Sequence, residues 1–148
     1  MTFWYRVANR LYKMHLSPLS RIIMYFHKLV YSCDIDYRAD IDGGFKIMHG
    51  IGIGIGAEVH AGKNLTIYQN VTLGGNFAKK KEIQGKTTGQ PYIHNNVTLL
   101  ANCSAFGPCE IGQGSFIGAG TIITKDVPEN VTIYTKTEKT IISNIEKQ

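Results

Sequence analysis

The chain has few of the residues that staple or interrupt a fold. Its three cysteines, Cys33, Cys103 and Cys109, are an odd number without CxxC spacing. That argues against a disulfide framework and a thiolate zinc site. Only four prolines stand against sixteen glycines, and the glycines gather between 43 and 120 without a collagen-like period. Charged residues are 18% of the 148 and hydrophobic ones 43%, a balance of folded chains that excludes disorder. Long apolar runs are missing too. Ile22 to Tyr31 contains His27 and Lys28, and it falls well short of the roughly 20 residues a bilayer span needs. Arg6, Arg10 and Lys13 break up the earlier apolar stretch, so no secretory signal is read there. The expected location is the cytoplasm, at the inner face of the membrane if the N-terminal segment touches lipid.

Acidic residues are outnumbered, 11 against 16 basic, for a net charge of +5. The surplus sits in Arg6, Arg10, Lys13, Arg21 and Lys28 and in Lys79, Lys80, Lys81 and Lys86. Such charge attracts phosphate, on a coenzyme, a lipid head group or a nucleic acid. No nucleic-acid-binding module accompanies it, so nucleic acid is not an expected partner.

What the sequence does have is a period of six. Every sixth residue from 35 reads Ile35, Ile41, Ile47, Ile53, Val59, Leu65 and Val71; from 93 it reads Ile93, Leu99, Ala105, Ile111, Ile117 and Ile123. Four residues after these, small or short side chains recur: Ala39, Ala57, Gly75, Val97, Cys103, Cys109, Ser115, Thr121 and Val127. This is the hexapeptide pattern of a parallel β-helix, in which each unit is a short strand plus a corner. The expected fold is mainly β: a left-handed parallel β-helix of about five coils of roughly 18 residues, after a short α-helical segment. Cys103 and Cys109 then read as small core residues. The two series are out of phase, so Asn76 to Gln90, polar and lysine-rich, is read as an external loop, with Pro91 marking the return. The expected division is a helical cap at 1–32, a β-helix at 33–131 with an external loop over 76–91, and a tail at 132–148.

In the cap, Trp4, Val7 and Leu11 are helically spaced over Thr2 to Met14, and Ser17-Pro18 reads as N-cap and first residue of a second helix. That helix would carry Ile22, Phe26, Leu29 and Val30 on one apolar face. The expected role is to plug the open end of the coil, since repeat folds need caps. Peripheral membrane contact is the second reading, because the segment is basic as well as apolar.

Of the five histidines, His49 stands apart, in His49-Gly50-Ile51-Gly52-Ile53-Gly54-Ile55-Gly56, where alternate glycines let a ligand approach the backbone. With Cys33-Asp34-Ile35 before it and Gln69-Asn70-Val71-Thr72-Leu73-Gly74-Gly75 after it, this stretch resembles the serine acetyltransferase group of hexapeptide acyltransferases. An Asp fifteen residues before the His and the VTLGG after it are both in place. The resemblance covers residues 33–131. It implies His49 as general base, Asp34 as its orienting carboxylate and acetyl-CoA as acetyl donor. Gly74 and Gly75 would hold the coenzyme or the oxyanion, and Ala101, Gly118 and Ala119 the pantetheine arm. Lys125 and Lys139 would meet the coenzyme phosphates, or else are plain surface lysines. It also implies a homotrimer with sites between neighbouring subunits, and no metal.

Departures bear on the acceptor. Where the family has Asp before the His, this chain has Met48; where it has Arg-His before Pro, this chain has Gly89-Gln90. The usual Glu is Ala57, and Tyr134 to Lys139 lacks the usual Gly-Val-Pro-Ala. Without the Arg that grips a carboxylate, the expected acceptor is a sugar hydroxyl of a surface polysaccharide, with Gln90 as its hydrogen-bonding partner. Serine is the alternative acceptor, with a lysine of the loop, Lys86 or one of 79–81, reaching its carboxylate. A metal-binding or non-catalytic β-helix scaffold is the remaining reading.

Overall fold

The structure, a computed structural model, describes residues 1–76 and 79–136. Two helices, α1 (Thr2–Lys13) and α2 (Ser17–Tyr31), precede a parallel β-helix. Three parallel ladders form its faces. The first face stacks Asp34–Ile35, Gly54–Ile55, Thr72–Gly74, Ser104–Phe106 and Ile122–Ile123. The second stacks Asp40–Ile41, His60–Ala61, Tyr92–Ile93 and Glu110–Ile111. The third stacks Lys46–Ile47, Thr66–Ile67, Thr98–Leu99, Phe116–Ile117 and Thr132–Ile133.

Two ranks of side chains fill the interior. Ile35, Ile55, Leu73, Ala105 and Ile123 are one rank on the first face, with registers Ile35↔Ile55, Ile55↔Leu73 and Ala105↔Ile123. Two residues before each strand's inward residue, the corners add Cys33, Val71, Cys103 and Thr121. Each fully buried aliphatic contributes about 1.5–3 kcal/mol. All three cysteines are free and buried. Burial pushes their thiols up, Cys109 to about 11, so they are neutral core residues.

Both ranks are aliphatic, and this conceals a discontinuity. Asp34 pairs with Gly54, a register two residues longer than Gly54 with Thr72. The extra residues lie in the corner that carries His49. The sixfold series from Ile35 therefore steps from the strand rank at Ile47 to the corner rank at Ile53 without a visible break. The phase difference is thus shared between this corner and the segment after Asn76, rather than owed to the segment alone. Ala57 and Gly75, expected at small inward corners, lie on the outside for the same reason.

The external segment is more ordered than a loop. Lys81–Ile83 and Lys86–Thr88 pair antiparallel around Gln84-Gly85, both with positive φ (50° and 73°), as two-residue hairpin turns require. Ile83 and Thr88 are buried beneath it. Ion pairs of Lys81 with Asp126 (2.8 Å) and Lys86 with Asp40 (2.9 Å) fasten the hairpin to the coil.

The cap works through α1, though not through the expected stripe. Tyr5, Ala8 and Asn9, spaced three and four apart, face the coil. The Tyr5 hydroxyl donates to the Ala39 carbonyl (2.6 Å), and Asn9 Nδ2 to those of Tyr37 (2.8 Å) and Ala39 (3.0 Å). Arg6 donates to the Ile41 and Asp42 carbonyls. These bonds cover the open edge of the first coil. For α2 the expectation fails: Ser20, Met24 and His27 face inward, while Ile22, Phe26, Leu29 and Val30 are 54–71% exposed. The Ser20 hydroxyl donates to the Ala8 carbonyl (2.8 Å), so small residues bring α2 close to α1. Leu16, not Ser17, is the N-cap, because its carbonyl already accepts from the amide of Ser20.

Candidate active site

His49 sits at the corner between the third and first faces in a left-handed backbone conformation, φ 56°. Its corner is pinned by the coils on both sides. Cys33 Sγ donates to the Gly50 carbonyl (3.1 Å), the Gly52 amide to the Ser32 carbonyl (3.0 Å) and the Asn70 amide to the Ile51 carbonyl (2.9 Å). Gly50 lies against the end of the Met1 side chain: a Cβ on it would lie 2.1 Å from Met1 Cε and would push that flexible side chain aside. The imidazole is exposed, with Tyr68 its aromatic neighbour at 6.3 Å between ring centres. These contacts stack the corner that carries His49 on Ser32 and Cys33, the two residues just ahead of Asp34. The Asp34 carboxylate, however, is held by Lys28 Nζ at 2.5 Å. An open cleft of about 580 Å³ runs beside it, past Ser32, Gly52, Gly54 and Thr72. The outer surface of the first face is thus stripped of bulk next to His49.

The expected coenzyme residues fall on two edges of that face. Ala101, Gly118 and Ala119 share the His49 edge, one coil above another: the Gly120 amide donates to the Ala101 carbonyl (2.9 Å). Gly74, Gly75, Gln90 and Lys125 lie across the face at the corner leading to the second ladder. Gly74 leaves room against the Phe106 ring, and Lys125 is exposed. Lys139 lies outside the described residues. Among the described residues, a single chain therefore does not gather these groups into one pocket.

Gln90 has a structural task that sequence reading missed. Its Oε1 accepts from the Glu58 amide (3.0 Å), and Gly56 makes room for it. Glu58 Oε2 accepts from the Gly89 amide (2.8 Å), and the Thr88 hydroxyl donates to the Glu58 carbonyl (2.9 Å). Around this knot lies a cleft of about 470 Å³ lined by Glu58, Gly75, Asn76, Lys79, Lys80, Gly89 and Gln90. Lys80 Nζ stands 3.9 Å from Glu58. Lys86 is elsewhere, on the second face, where it pairs with Asp40 and meets His60 Nδ1 at 3.2 Å. Burial and that ammonium hold the His60 imidazole below its usual range. Among the described residues no three His, Cys, Asp or Glu side chains cluster as a metal site.

No family model matches the chain. A serine acetyltransferase of Bacillus pumilus is 33% identical over 143 residues, 97% of this chain and 63% of the relative. One of Helicobacter pylori is 31% identical over 139 residues, 93% of this chain and 77% of that protein. Among solved structures, the Neisseria gonorrhoeae serine acetyltransferase in complex with serine superposes with TM-score 0.78 at 29% identity, over 93% of this chain and 54% of that one. The Brucella abortus enzyme in complex with coenzyme A gives TM-score 0.77 at 30% identity, over 88% and 50%. Fold and sequence agree: the chain is a left-handed parallel β-helix of the hexapeptide acyltransferase class. It belongs to the serine acetyltransferase family. The chain spans about half to two-thirds of the length of most of these relatives.

Proposed function

We propose that the chain transfers the acetyl group of acetyl-CoA to the hydroxyl of serine. The relatives give the saccharide expectation no support and favour the amino acid. The observation that carries the acceptor is the cleft at Gln90. It presents two ammonium groups, Lys79 and Lys80, and one carboxylate, Glu58. A zwitterion needs both signs, and a neutral sugar needs neither. The lysines stand in for the missing Arg, as point charges rather than a bidentate fork.

In the reaction His49 removes the proton of the serine hydroxyl as the oxygen attacks the thioester carbonyl. The tetrahedral oxyanion is met by backbone N–H groups beside Gly74 and Gly75. Its collapse breaks the C–S bond, and the imidazolium returns the proton to the departing thiolate, giving coenzyme A and O-acetylserine. Asp34 steadies the imidazolium once Lys28 yields it. Ala101, Gly118 and Ala119 leave a lane for the pantetheine arm, and Lys125 and Lys139 receive its phosphates. Because Ala101, Gly118 and Ala119 lie on one edge of the first face and Gly74, Gly75 and Lys125 on the other, the working site is completed by a neighbouring copy, which supports a homotrimer.

The test is release of coenzyme A thiol with serine, with serinol, which lacks the carboxylate, and with a panel of sugars. Serine should be turned over with a specificity constant at least about ten-fold above serinol, the size of one lost charge-assisted bond. Turnover of sugars in preference to serine sinks the assignment.

A further inference from the structure

The outward face of α2 has no partner in the described chain. Leu19, Ile22, Phe26, Leu29 and Val30 recur at three- and four-residue spacing, and Tyr25 lies beside them; Phe26 is 59% exposed and Leu29 62%. From α1, Trp4 extends the patch, and exposed Phe3 stands edge-on to it at 5.4 Å between ring centres. Between the helices the surface dips into an apolar cleft of about 350 Å³, walled by Trp4, Ile22, Phe26 and Val30. At its base lies His27, buried, with neither ring nitrogen hydrogen-bonded. Monomeric soluble proteins rarely expose contiguous apolar patches beyond a few hundred Å².

Charge selects the occupant. Residues 1–33 hold Arg6, Arg10, Lys13, Arg21 and Lys28 and no Asp or Glu. Arg21 and Lys28, seven residues apart, run along one border of the apolar face; Lys28 is paired with Asp34, so Arg21 and Arg10 carry the charge that faces outward. A second copy facing this patch would set like charge against like. An anionic lipid leaflet complements it, and acyl chains fill a dip that a rigid surface would leave void. No described helix is long and apolar enough to cross a membrane, so the mode is a helix lying in the interface. Tyr25, Trp4 and Phe26 are residue types suited to the head-group boundary. We infer that α2, with Phe3 and Trp4 of α1, docks the protein onto an anionic membrane surface. The coil is already capped by the inner face of α1, so docking leaves the fold untouched.

The experiment is cosedimentation of the full chain with phosphatidylcholine vesicles, with and without phosphatidylglycerol, at low and high salt, alongside its sedimentation mass without lipid. Wild type should pellet with the anionic vesicles only, and high salt should weaken this. Phe26→Glu with Leu29→Glu, both at exposed positions, should weaken partitioning by at least about ten-fold. Arg10→Gln and Arg21→Gln should each weaken it about five-fold. Unchanged circular dichroism confirms folding, and the arginine variants test the claim independently. Two results overturn it. One is wild type that stays in the supernatant with both vesicles. The other is a Phe26→Glu/Leu29→Glu variant whose mass in solution falls, which makes the face a contact between copies.

Discussion

Gly56→Ala is a small change with a computable consequence. A Cβ at this position would lie 2.2 Å from Gln90 Oε1 and 2.6 Å from Nε2, closer than atoms tolerate. The obstruction is the end of a flexible side chain, so the Gln90 amide swings away and the backbone stays. What is lost is the Glu58 N–H to Gln90 Oε1 bond, 3.0 Å long and partly buried, worth about 0.5–1.5 kcal/mol. Replacing Gly by Ala recovers about 0.4–1 kcal/mol by restricting the unfolded chain. The net stability change is therefore within about 1 kcal/mol, a small shift of the thermal midpoint. The acceptor cleft loses its ordered amide, so KM for serine should rise about two- to ten-fold with kcat little changed. Gln90→Ala removes the same bond. The double variant should be no worse than either single one, because each abolishes one interaction. Additive effects on KM, or a stability loss above about 2 kcal/mol, would refute the reasoning.

Leu99→Ala empties a site buried between Ile67 and Ile117 on the third face; denaturant unfolding should show a loss of about 2–5 kcal/mol. Tyr5→Phe removes the 2.6 Å bond to the Ala39 carbonyl, which keeps Asn9 Nδ2 as a donor at 3.0 Å, so stability should fall by about 0.5–1.5 kcal/mol with activity per folded molecule unchanged. Acid should release the hairpin before the coil. Hydrogen bonds from Lys86 and Lys81 hold Asp40 and Asp126 below the usual carboxylate range. Their contribution is complete above that range and is lost as pH falls through the lowered values. Hydrogen exchange at 81–88, corrected for intrinsic rates, should accelerate below about pH 4 while the first-face strands stay protected.

The coil was legible because every inward position must be apolar, and a period of six has few other causes. Thirteen aliphatic or small residues at sixfold spacing, in two series, carried the fold class, and the Gly-rich run singled out His49. The two-residue step at His49 was not legible, since Ile47 and Ile53 are equally aliphatic although one belongs to a strand and the other to a corner. The hairpin escaped because Gln84-Gly85 lacks the Asn-Gly or Asp-Gly of a strong turn signal. The direction of α2 escaped for a physical reason. Amphipathic spacing reveals an apolar stripe but not what it faces, and Ser20 and Ala8 let the less apolar side pack closely against α1. Lys79 and Lys80 were legible as loop lysines within reach of an acceptor carboxylate, but not told apart from Lys86; their place beside Glu58 and Gln90 depends on a hairpin that pattern does not show.

The account's central claim is His49-dependent acetylation of serine, and the product tests it most directly. Purified chain is incubated with isotopically labelled acetyl-CoA and serine, and the products are resolved by mass spectrometry, for wild type and His49→Ala. The account expects labelled O-acetylserine from wild type, in step with coenzyme A thiol, and a rate lower by about 10²–10⁴-fold in the variant, whose circular dichroism is unchanged. O-acetylserine formed at near wild-type rate by His49→Ala, or none formed by wild type while a sugar is acetylated, would contradict it.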